Sequence, residues 1–315
     1  MEPKISVQNA SDVDMKKNKK METAMQILYG GGIPQGAGLK NKMLALICLQ
    51  RPLVAIMGPL MFFAGAALAL KGLPSWESFI LGFIAVYMLT SAEHTIDDFI
   101  DKEIDKVKWP SRPLPTETIP RKVGGVYGAL LGSLGILISY LIFNWQLVII
   151  ELVALGFGTA YPFLRDRIGY LVLPGIPALI GIGGWAAYSP DTLFTSPVPW
   201  ILYLVFAAWQ AFHILTLPWA LTQAKIFIVR PKPRTVAEIS MIFSVITLAL
   251  AIFLSLYIEN ALIFIITMIV ISLLFWITAI PLIREPTNTE NSHRAVVVAT
   301  NYNIIMCAVL MLTVI

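Results

Sequence analysis

The sequence predicts an all-α, polytopic membrane protein with nine transmembrane helices, an inner N-terminus and an outer C-terminus. Three observations indicate this fold class. Hydrophobic residues make up 57% of the 315 residues and charged residues only 13%, which is more apolar than a soluble domain of this size requires. Apolar runs of membrane-spanning length recur along the chain. The Lys and Arg residues of the loops between these runs fall almost entirely on one side.

The first segment, residues 1–42, is polar and is predicted to be a disordered cytoplasmic tail. It precedes a predicted membrane domain over residues 43–315. The tail contains a lysine cluster that ends at Lys20 and a glycine-rich stretch that begins at Gly30, a composition typical of tails and loops. It has no apolar segment of the kind found in secretory signals.

Nine apolar runs follow the tail. Each is long enough, or nearly so, to cross about 30 Å of hydrocarbon at 1.5 Å per residue. They cover residues 50–70, 77–96, 123–143, 146–163, 169–188, 199–222, 236–258, 261–283 and 295–314. We therefore expect nine membrane-spanning helices joined by loops.

The basic residues of the loops predict the orientation. If the N-terminus is cytoplasmic, the cytoplasmic loops are 97–122, 164–168, 223–235 and 284–294, and each contains Lys or Arg. The opposite loops contain a single basic residue, Lys71. Cytoplasmic loops of membrane proteins carry an excess of Lys and Arg, so this bias predicts an inner N-terminus. It also explains the net charge of +4 without a nucleic-acid partner.

A row of carboxylates follows the second apolar run. Asp97, Asp98, Asp101 and Asp105 recur at spacings of three and four residues, which places them on one face of a helix. Like charges at this spacing destabilise a helix by roughly 0.2–0.5 kcal/mol per pair, so the row indicates a cation site. Oxygen ligands favour a hard ion, and Mg²⁺ typically binds one or two carboxylates together with substrate phosphates. The alternative is an acidic helix end exposed to solvent, where the neighbouring Lys102 and Lys106 would offset the negative charge.

Basic and aromatic residues accompany the carboxylates. Arg112 follows them by one short loop, and Arg165 and Arg167 lie in the next cytoplasmic loop. A polyanion with its own divalent cation would satisfy both signs of charge, although the positive-inside rule explains the basic residues without a ligand. Aromatic side chains, which stabilise cations in dry pockets but are also common in membrane helices, occur on helices two, four, five and six. They are Tyr87, Tyr161, Trp185, Tyr188, Trp209, Phe212 and Trp219.

Few ionisable residues lie deep in the predicted membrane. Glu151 lies near the outer end of the fourth run, and Arg51 lies at the inner end of the first. Rows of mid-membrane charges mark proton relays and voltage sensors, and paired broken helices mark many transporters. The sequence therefore disfavours a transporter and places its charged chemistry at the cytoplasmic helix ends.

Over residues 45–315 the chain resembles the UbiA superfamily of intramembrane prenyltransferases. The family pattern Asn-Asp-x-x-Asp-x-x-x-Asp, followed by Arg-Pro-x-Pro, reads here Asp97-Asp98-Phe99-Ile100-Asp101-Lys102-Glu103-Ile104-Asp105 and then Arg112-Pro113-Leu114-Pro115. An Arg51-Pro52 pair near the start of the first run is also similar to the family, as is Tyr161-Pro162 in the turn after the fourth. At the family's asparagine position this chain has Asp97.

The resemblance implies a helical bundle around a central cavity that opens to the cytoplasm and laterally to lipid. It implies Mg²⁺ as the cofactor, an isoprenyl diphosphate and a lipophilic acceptor as partners, and a multi-pass protein of the cell membrane whose site faces the cytoplasm. The implied metal ligands are Asp97, Asp98, Asp101 and Asp105, of which the last three are also the expected catalytic residues. The expected substrate-binding residues are Arg51, Arg112, Tyr161, Arg165 and Arg167.

One family feature is missing from the sequence. The second acidic motif, after the sixth helix, has no counterpart, because no carboxylate occurs between Trp209 and Val236. The favoured interpretation is a transferase in which a basic clamp, Lys225 to Arg234, replaces that motif. The first alternative is a membrane terpene cyclase of the same superfamily, which needs no acceptor. The second is a non-catalytic, isoprenoid-binding relative. Prenyl chain length, acceptor and oligomeric state stay open.

Overall fold

A computed structural model describes residues 21–33, 38–223, 225 and 229–314. This part of the chain is built from α-helices joined by short turns, which confirms the predicted all-α class. Residues 21–28 are helical and are called α1. The other helices are α2 (Leu39–Gln50), α3 (Pro52–Ala55), α4 (Met57–Leu70), α5 (Trp76–Lys108), α6 (Arg121–Ile142), α7 (Trp145–Ile168), α8 (Gly175–Tyr188), α9 (Val198–Leu215), α10 (Pro218–Gln223), α11 (Pro233–Leu254), α12 (Ala261–Arg284) and α13 (Thr289–Thr313).

Eight helical segments of the described ranges are long and apolar enough to cross a membrane. One of them, Leu39–Leu70, combines α2, α3 and α4. The predicted span at residues 169–188 contains instead the apolar helix α8, whose 14 residues reach about 21 Å at the usual rise of an α-helix. The polytopic membrane protein is therefore confirmed, whereas nine spans, a central cavity and the N-in orientation stay predictions.

Apolar side chains on the protein surface agree with a lipid environment. Leu262, Ile266 and Leu273 of α12 are exposed, as are Leu137 and Leu141 of α6. An exposed apolar surface of this extent is unfavourable in water and is what a bilayer accepts. The chain is an integral membrane protein by this criterion as well as by its apolar helices.

The described chain divides into two compact units, and the first comprises residues up to 56 and residues 90–133. Its apolar core brings together Ile27, Ile33, Cys48, Leu49 and Leu114. Residues 21–33 belong to the predicted disordered tail, and in the structure Ile27 and Ile33 bury their side chains in this core; disorder of the tail stays a prediction. The rest of that tail before α2, residues 1–20 and 34–37, lies outside the described residues. The domain boundary at residue 42 stays a prediction, although α2 already begins at Leu39.

The break between α2 and α3 occurs at Arg51. Proline disfavours the right-handed helical region for the residue before it, so Pro52 prevents α2 from continuing through Arg51. Arg51 adopts the left-handed conformation instead, with φ 49° and ψ 62°, and Pro52 becomes the first residue of α3. A non-glycine residue in this region is strained. From this break the Arg51 side chain contacts Asp97 and Asp98 of α5.

The second unit comprises residues 57–89 and the chain from residue 134 onward. Its core contains Phe206, Phe212, Phe264, Phe275 and Tyr302, all almost completely buried. Helices α4 and α8 approach each other at glycines. A Cβ atom at Gly184 would overlap the Phe62 carbonyl, and one at Gly65 would overlap the Gly181 carbonyl. Small residues at such crossings are the usual route to close packing of membrane helices.

Candidate functional site

The four aspartates of the acidic row lie near the C-terminal end of α5, in the first unit. Asp98, Asp101 and Asp105 are buried, with 1%, 9% and 4% of their surface exposed, and the Asp97 side chain is 40% exposed. An isolated buried carboxylate is costly unless it is paired and hydrogen-bonded. The row is therefore not the solvated helix end of the alternative interpretation.

Arg112 bridges two of these carboxylates from the loop after α5. Its Nη1 donates to Asp98 Oδ1 at 3.1 Å and to Asp105 Oδ2 at 2.9 Å. The two aspartates lie two helical turns apart on α5, and the planar guanidinium of Arg112 lies between them and reaches both. The loop folds back because the Arg112 amide donates to the Trp109 carbonyl at 3.0 Å. The guanidinium carbon lies 4.9 Å from the centre of the Trp109 ring.

Arg51 reaches the same carboxylates from the break between α2 and α3. Its Nη2 donates to Asp98 Oδ1 and lies 3.6 Å from Asp97 Oδ2. Oδ1 of Asp98 thus accepts from two guanidinium groups. The ion pairs join two arginines to Asp97, Asp98 and Asp105, and Asp101 is buried on the same helix, an excess of carboxylates that favours a further cation. Lys102 points elsewhere, since its Nζ contacts Glu117 Oε1 at 3.0 Å.

The carboxylates supply the hard oxygen donors that Mg²⁺ takes, so the donor chemistry fits the implied metal. Among the described residues, no three His, Cys, Asp or Glu side chains converge closely enough to hold an ion. In this geometry Asp98 is ion-paired with Arg51 and Asp105 with Arg112. Metal ligation by the four aspartates stays a prediction.

Residues near the N-terminus also belong to the cluster, and the sequence interpretation missed them. Arg112 Nε donates to the Gly30 carbonyl at 3.1 Å, and Ser111 Oγ donates to the Gly31 carbonyl at 2.7 Å. The sequence signal was the glycine run itself, which the prediction assigned to a loop. Every residue type has a backbone carbonyl, so the sequence could not predict the contact between Gly30 and Arg112.

The remaining predicted substrate-binding residues lie in the second unit. Tyr161 is buried in α7, and Arg165 and Arg167 occupy the last turn of that helix. Cations at a helix C-terminus are stabilised by the helix dipole, which explains these two arginines without a ligand. A role for the three residues in binding substrate stays a prediction.

The basic clamp proposed for the missing motif lies partly outside the described residues, since 226–228 are not described. Of its basic residues, Arg234 pairs with Glu238 at 2.9 Å on the protein surface. This pair joins successive turns of α11 and is exposed to solvent. The clamp therefore stays a prediction.

Two of the aromatic side chains considered for a cation-stabilising pocket are packing residues. Phe212 is fully buried, with its ring centre 4.5 Å from that of Phe275. Trp209 is 3% exposed and donates its indole N–H to the Ala299 carbonyl at 2.8 Å. The Trp219 side chain lies outside the described residues. Neither Phe212 nor Trp209 is available to line an open chamber in this conformation.

Comparison with known proteins identifies the family. The sequence profile of the UbiA prenyltransferase family matches residues 59–301. A digeranylgeranylglyceryl phosphate synthase of Pyrococcus horikoshii is 36% identical over 102 residues, 32% of this chain and 36% of the relative. A 4-hydroxybenzoate octaprenyltransferase of Pseudoalteromonas atlantica is 31% identical over 143 residues, 44% of this chain and 48% of the relative. The chain thus aligns with half or less of the length of these curated relatives.

Solved structures share the fold at low sequence identity. A structure of digeranylgeranylglyceryl phosphate synthase has a TM-score of 0.62 at 19% identity and covers 87% of this chain and 98% of its own. A UbiA homologue from Archaeoglobus fulgidus bound to DMAPP and Mg²⁺ has a TM-score of 0.56 at 17% identity, covering 83% and 98%. Together with the profile match over most of its length, this similarity confirms the resemblance: the chain belongs to the UbiA prenyltransferase family.

Proposed function

We propose that this protein transfers an isoprenyl group from an allylic diphosphate to a lipophilic acceptor within the membrane, with Mg²⁺ as its cofactor. The observation that carries the proposal is the ion-paired cluster near the C-terminal end of α5, in which Arg51 contacts Asp97 and Asp98 and Arg112 contacts Asp98 and Asp105. Family membership supports it, as do relatives named as prenyltransferases. The similar structure with bound DMAPP and Mg²⁺ makes a prenyl diphosphate the natural substrate class.

The proposed roles follow from charge. Asp97, Asp98, Asp101 and Asp105 would hold the metal, and the last three are the proposed catalytic residues. A bound divalent ion would supply positive charge to the departing diphosphate. Asp98 and Asp105 would supply oxygen ligands to the ion, and the guanidinium groups of Arg51 and Arg112 beside them would bind phosphate oxygens.

Arg51 and Arg112 are the proposed phosphate-binding residues of the first unit. Arginine presents five N–H donors in a planar fork that matches phosphate oxygens. Among the described residues, the buried Nε of Arg51 has no hydrogen-bond partner. Because an unpaired buried donor is unfavourable, a phosphate oxygen at this position would be stabilised. Tyr161, Arg165 and Arg167 are proposed as further substrate-binding residues on the motif alone.

The proposed reaction breaks the bond between the allylic carbon and the diphosphate oxygen, and the diphosphate leaves with the electron pair. The acceptor nucleophile then forms a bond to that carbon and loses a proton. Arg51 and Arg112 would stabilise the charge that develops on the leaving group. Exclusion of water protects the allylic cation from capture by hydroxide or water. The acceptor belongs to a lipophilic class, and we propose a site on the cytoplasmic face of the cell membrane.

The direct test is a product assay with purified protein in detergent. Labelled allylic diphosphates of increasing length are incubated with Mg²⁺, with and without extracted membrane lipid. Release of diphosphate that depends on the lipid extract, together with a labelled lipid product, supports transfer, and EDTA is expected to abolish it. Absence of any product with every diphosphate and extract would contradict the proposal.

A second candidate function has one observation in its favour. No carboxylate occurs between Trp209 and Val236, so the second acidic motif of the family is missing. A membrane terpene cyclase would use an alkene of the prenyl chain as the nucleophile and need no acceptor. The same assay separates the two, because a cyclase releases diphosphate and forms a hydrocarbon when no lipid is added. A protein that binds the diphosphate without turnover would instead be a non-catalytic relative.

A further inference from the structure

We propose that residues 21–33, named here the N-terminal strap, position Arg51 and Arg112 in the α5 cluster and so increase its affinity for a diphosphate. The proposal rests on the proposed function, because it concerns the same cluster. The strap precedes residue 59, where the match to the family profile begins. It acts through the arginines, so its residues are positioning residues.

The strap fixes the plane of the Arg112 guanidinium. Gly30 offers its carbonyl to Arg112 Nε at 3.1 Å, while Nη1 of the same group faces Asp98 and Asp105. A guanidinium is planar and rigid, so anchoring Nε on one edge sets the direction of the donors on the other. Without the Gly30 carbonyl, rotation about the side-chain bonds of Arg112 would have one constraint fewer.

Two further hydrogen bonds tie the strap to the residue before Arg112. Ser111 Oγ donates to the Gly31 carbonyl at 2.7 Å, and the Ile33 amide donates to the Ser111 carbonyl at 3.3 Å. Ile27 and Ile33 then bury their side chains in the core of the first unit. The buried side chains of Ile27 and Ile33 thus lie on either side of Gly30 and Gly31, whose carbonyls accept the hydrogen bonds.

Glycine is required where the strap crosses Arg51. Gly30 has φ 73°, a conformation that L-residues seldom adopt. A Cβ atom at this position would overlap Arg51 Cγ and lie 3.0 Å from Cδ and 3.2 Å from Nε. The strap therefore packs directly on the side chain that donates to Asp98. Gly31 differs, because a Cβ there would meet nothing closer than 3.6 Å.

The test compares Gly30→Ala with two glycine controls. Gly31→Ala adds a methyl group to the strap where there is room. Gly38→Ala imposes a methyl group at φ 151° with nothing within 4 Å, which reproduces the backbone strain away from the cluster. Two quantities are measured in detergent: the rate of phenylglyoxal modification at Arg51 and Arg112 by mass spectrometry, and the affinity for inorganic pyrophosphate with Mg²⁺ by calorimetry.

We expect Gly30→Ala to raise the modification rate of both arginines by about tenfold, the equivalent of one lost hydrogen bond to a charged group. Pyrophosphate affinity should fall by a similar factor, and both controls should behave as wild type. Ser111→Ala serves as a second variant if Gly30→Ala does not fold. It removes only the hydroxyl donor to Gly31 and should change both quantities in the same direction by about threefold.

Each contrary result has a distinct meaning. Unchanged arginine modification in Gly30→Ala and Ser111→Ala would overturn the strap as a positioning element. Faster modification with unchanged pyrophosphate affinity would overturn its effect on binding. A wild-type protein whose arginines are protected but which binds no pyrophosphate would contradict the proposed function, and with it the role of the strap in affinity. If the strap had only a structural role, Gly30→Ala would lower thermal stability, but its arginine modification rate and its pyrophosphate affinity would equal those of the control variants.

Discussion

A single carboxylate oxygen, Oδ1 of Asp98, lies at the centre of the cluster and accepts from both Arg51 and Arg112. Buried ion pairs contribute little net stability, because desolvation offsets much of their attraction. Removal of one partner is different, since it leaves the other charge buried and unpaired. The arginines are therefore expected to have larger effects on stability than basic residues at the surface.

Arg112→Ala should lower the free energy of unfolding by about 3 kcal/mol, because Asp105 and Asp98 lose a buried partner. Arg234→Ala is the matched control, since Arg234 pairs with Glu238 in solvent and such pairs contribute less than about 1 kcal/mol. Denaturant unfolding in mixed detergent, followed by tryptophan fluorescence, measures both variants. Equal losses would show that the cluster is not a buried charge network.

Glu117 provides a pH-dependent prediction outside the membrane-spanning helices. A hydrogen bond from the Lys102 ammonium lowers the pKa of the Glu117 carboxyl below its ordinary value of 4.5. A lowered folded-state pKa contributes stability above the unfolded-state pKa, and this is lost as the pH falls through the folded value. Glu117→Gln should therefore be less stable than wild type at neutral pH, with a difference that vanishes in acid. A difference that persists at pH 2 would contradict the ion pair.

The aspartates and arginines of the cluster could be predicted from the sequence because their spacing and residue type carry the information. The contacts between Arg112 and Asp105, or Arg51 and Asp98, could not, since they depend on the loop after α5 and the turn at Pro52. The strap was missed for a different reason. Its hydrogen bonds to the cluster come from backbone atoms, which every residue type provides.

At the scale of helices, the positions of the apolar runs predicted most of the elements. The second apolar run ends at residue 96, and α5 continues through the acidic row to Lys108, as the helical face predicted for the four aspartates requires. The run at 169–188 was expected to span the membrane but gives the shorter helix α8. Its first residues follow Gly169, which closes α7 by donating to the Arg165 carbonyl at 2.9 Å.

Two helix-interior glycines should respond in opposite ways to alanine. At Gly184 of α8 a methyl group would overlap the backbone of α4, so Gly184→Ala should reduce the melting temperature and the yield of folded protein. At Gly156 of α7 a Cβ would meet nothing within 4 Å, so Gly156→Ala should stabilise by about 0.5–1 kcal/mol through reduced backbone entropy. Thermal unfolding in detergent measures both. Similar responses would contradict the close α4–α8 crossing.

At the scale of the whole molecule, apolar content and loop charge predicted a polytopic membrane protein, and its helices and exposed apolar surface confirm that class. The orientation of the protein is defined relative to a bilayer, which the structure does not include. The prediction of an inner N-terminus therefore rests on the distribution of Lys and Arg alone. The aspartate cluster would then face the cytoplasm. Sequence could not resolve whether α8 spans, because composition reports apolarity and the number of helical residues is set by the turns that flank it.

Single cysteines test this orientation, and both native cysteines are buried. One variant introduces a cysteine at Thr287, an exposed position in a loop predicted to be cytoplasmic. The other introduces one at Thr195, an exposed position in a loop predicted to be external. A membrane-impermeant maleimide applied to intact cells should label Thr195→Cys only, and Thr287→Cys after the membrane is opened. The reverse pattern would invert the predicted topology.

The most direct measurement of the central claim is the binding of a radiolabelled, non-reactive allylic thiodiphosphate to purified protein with Mg²⁺ or with EDTA. The account predicts binding that requires the metal and is lost in Asp101→Ala. Binding should persist in Glu103→Ala, whose carboxylate is exposed and contacts Lys106 at 2.8 Å. Equal affinity of wild type and Asp101→Ala in the presence of Mg²⁺ would contradict a metal-dependent diphosphate site on α5.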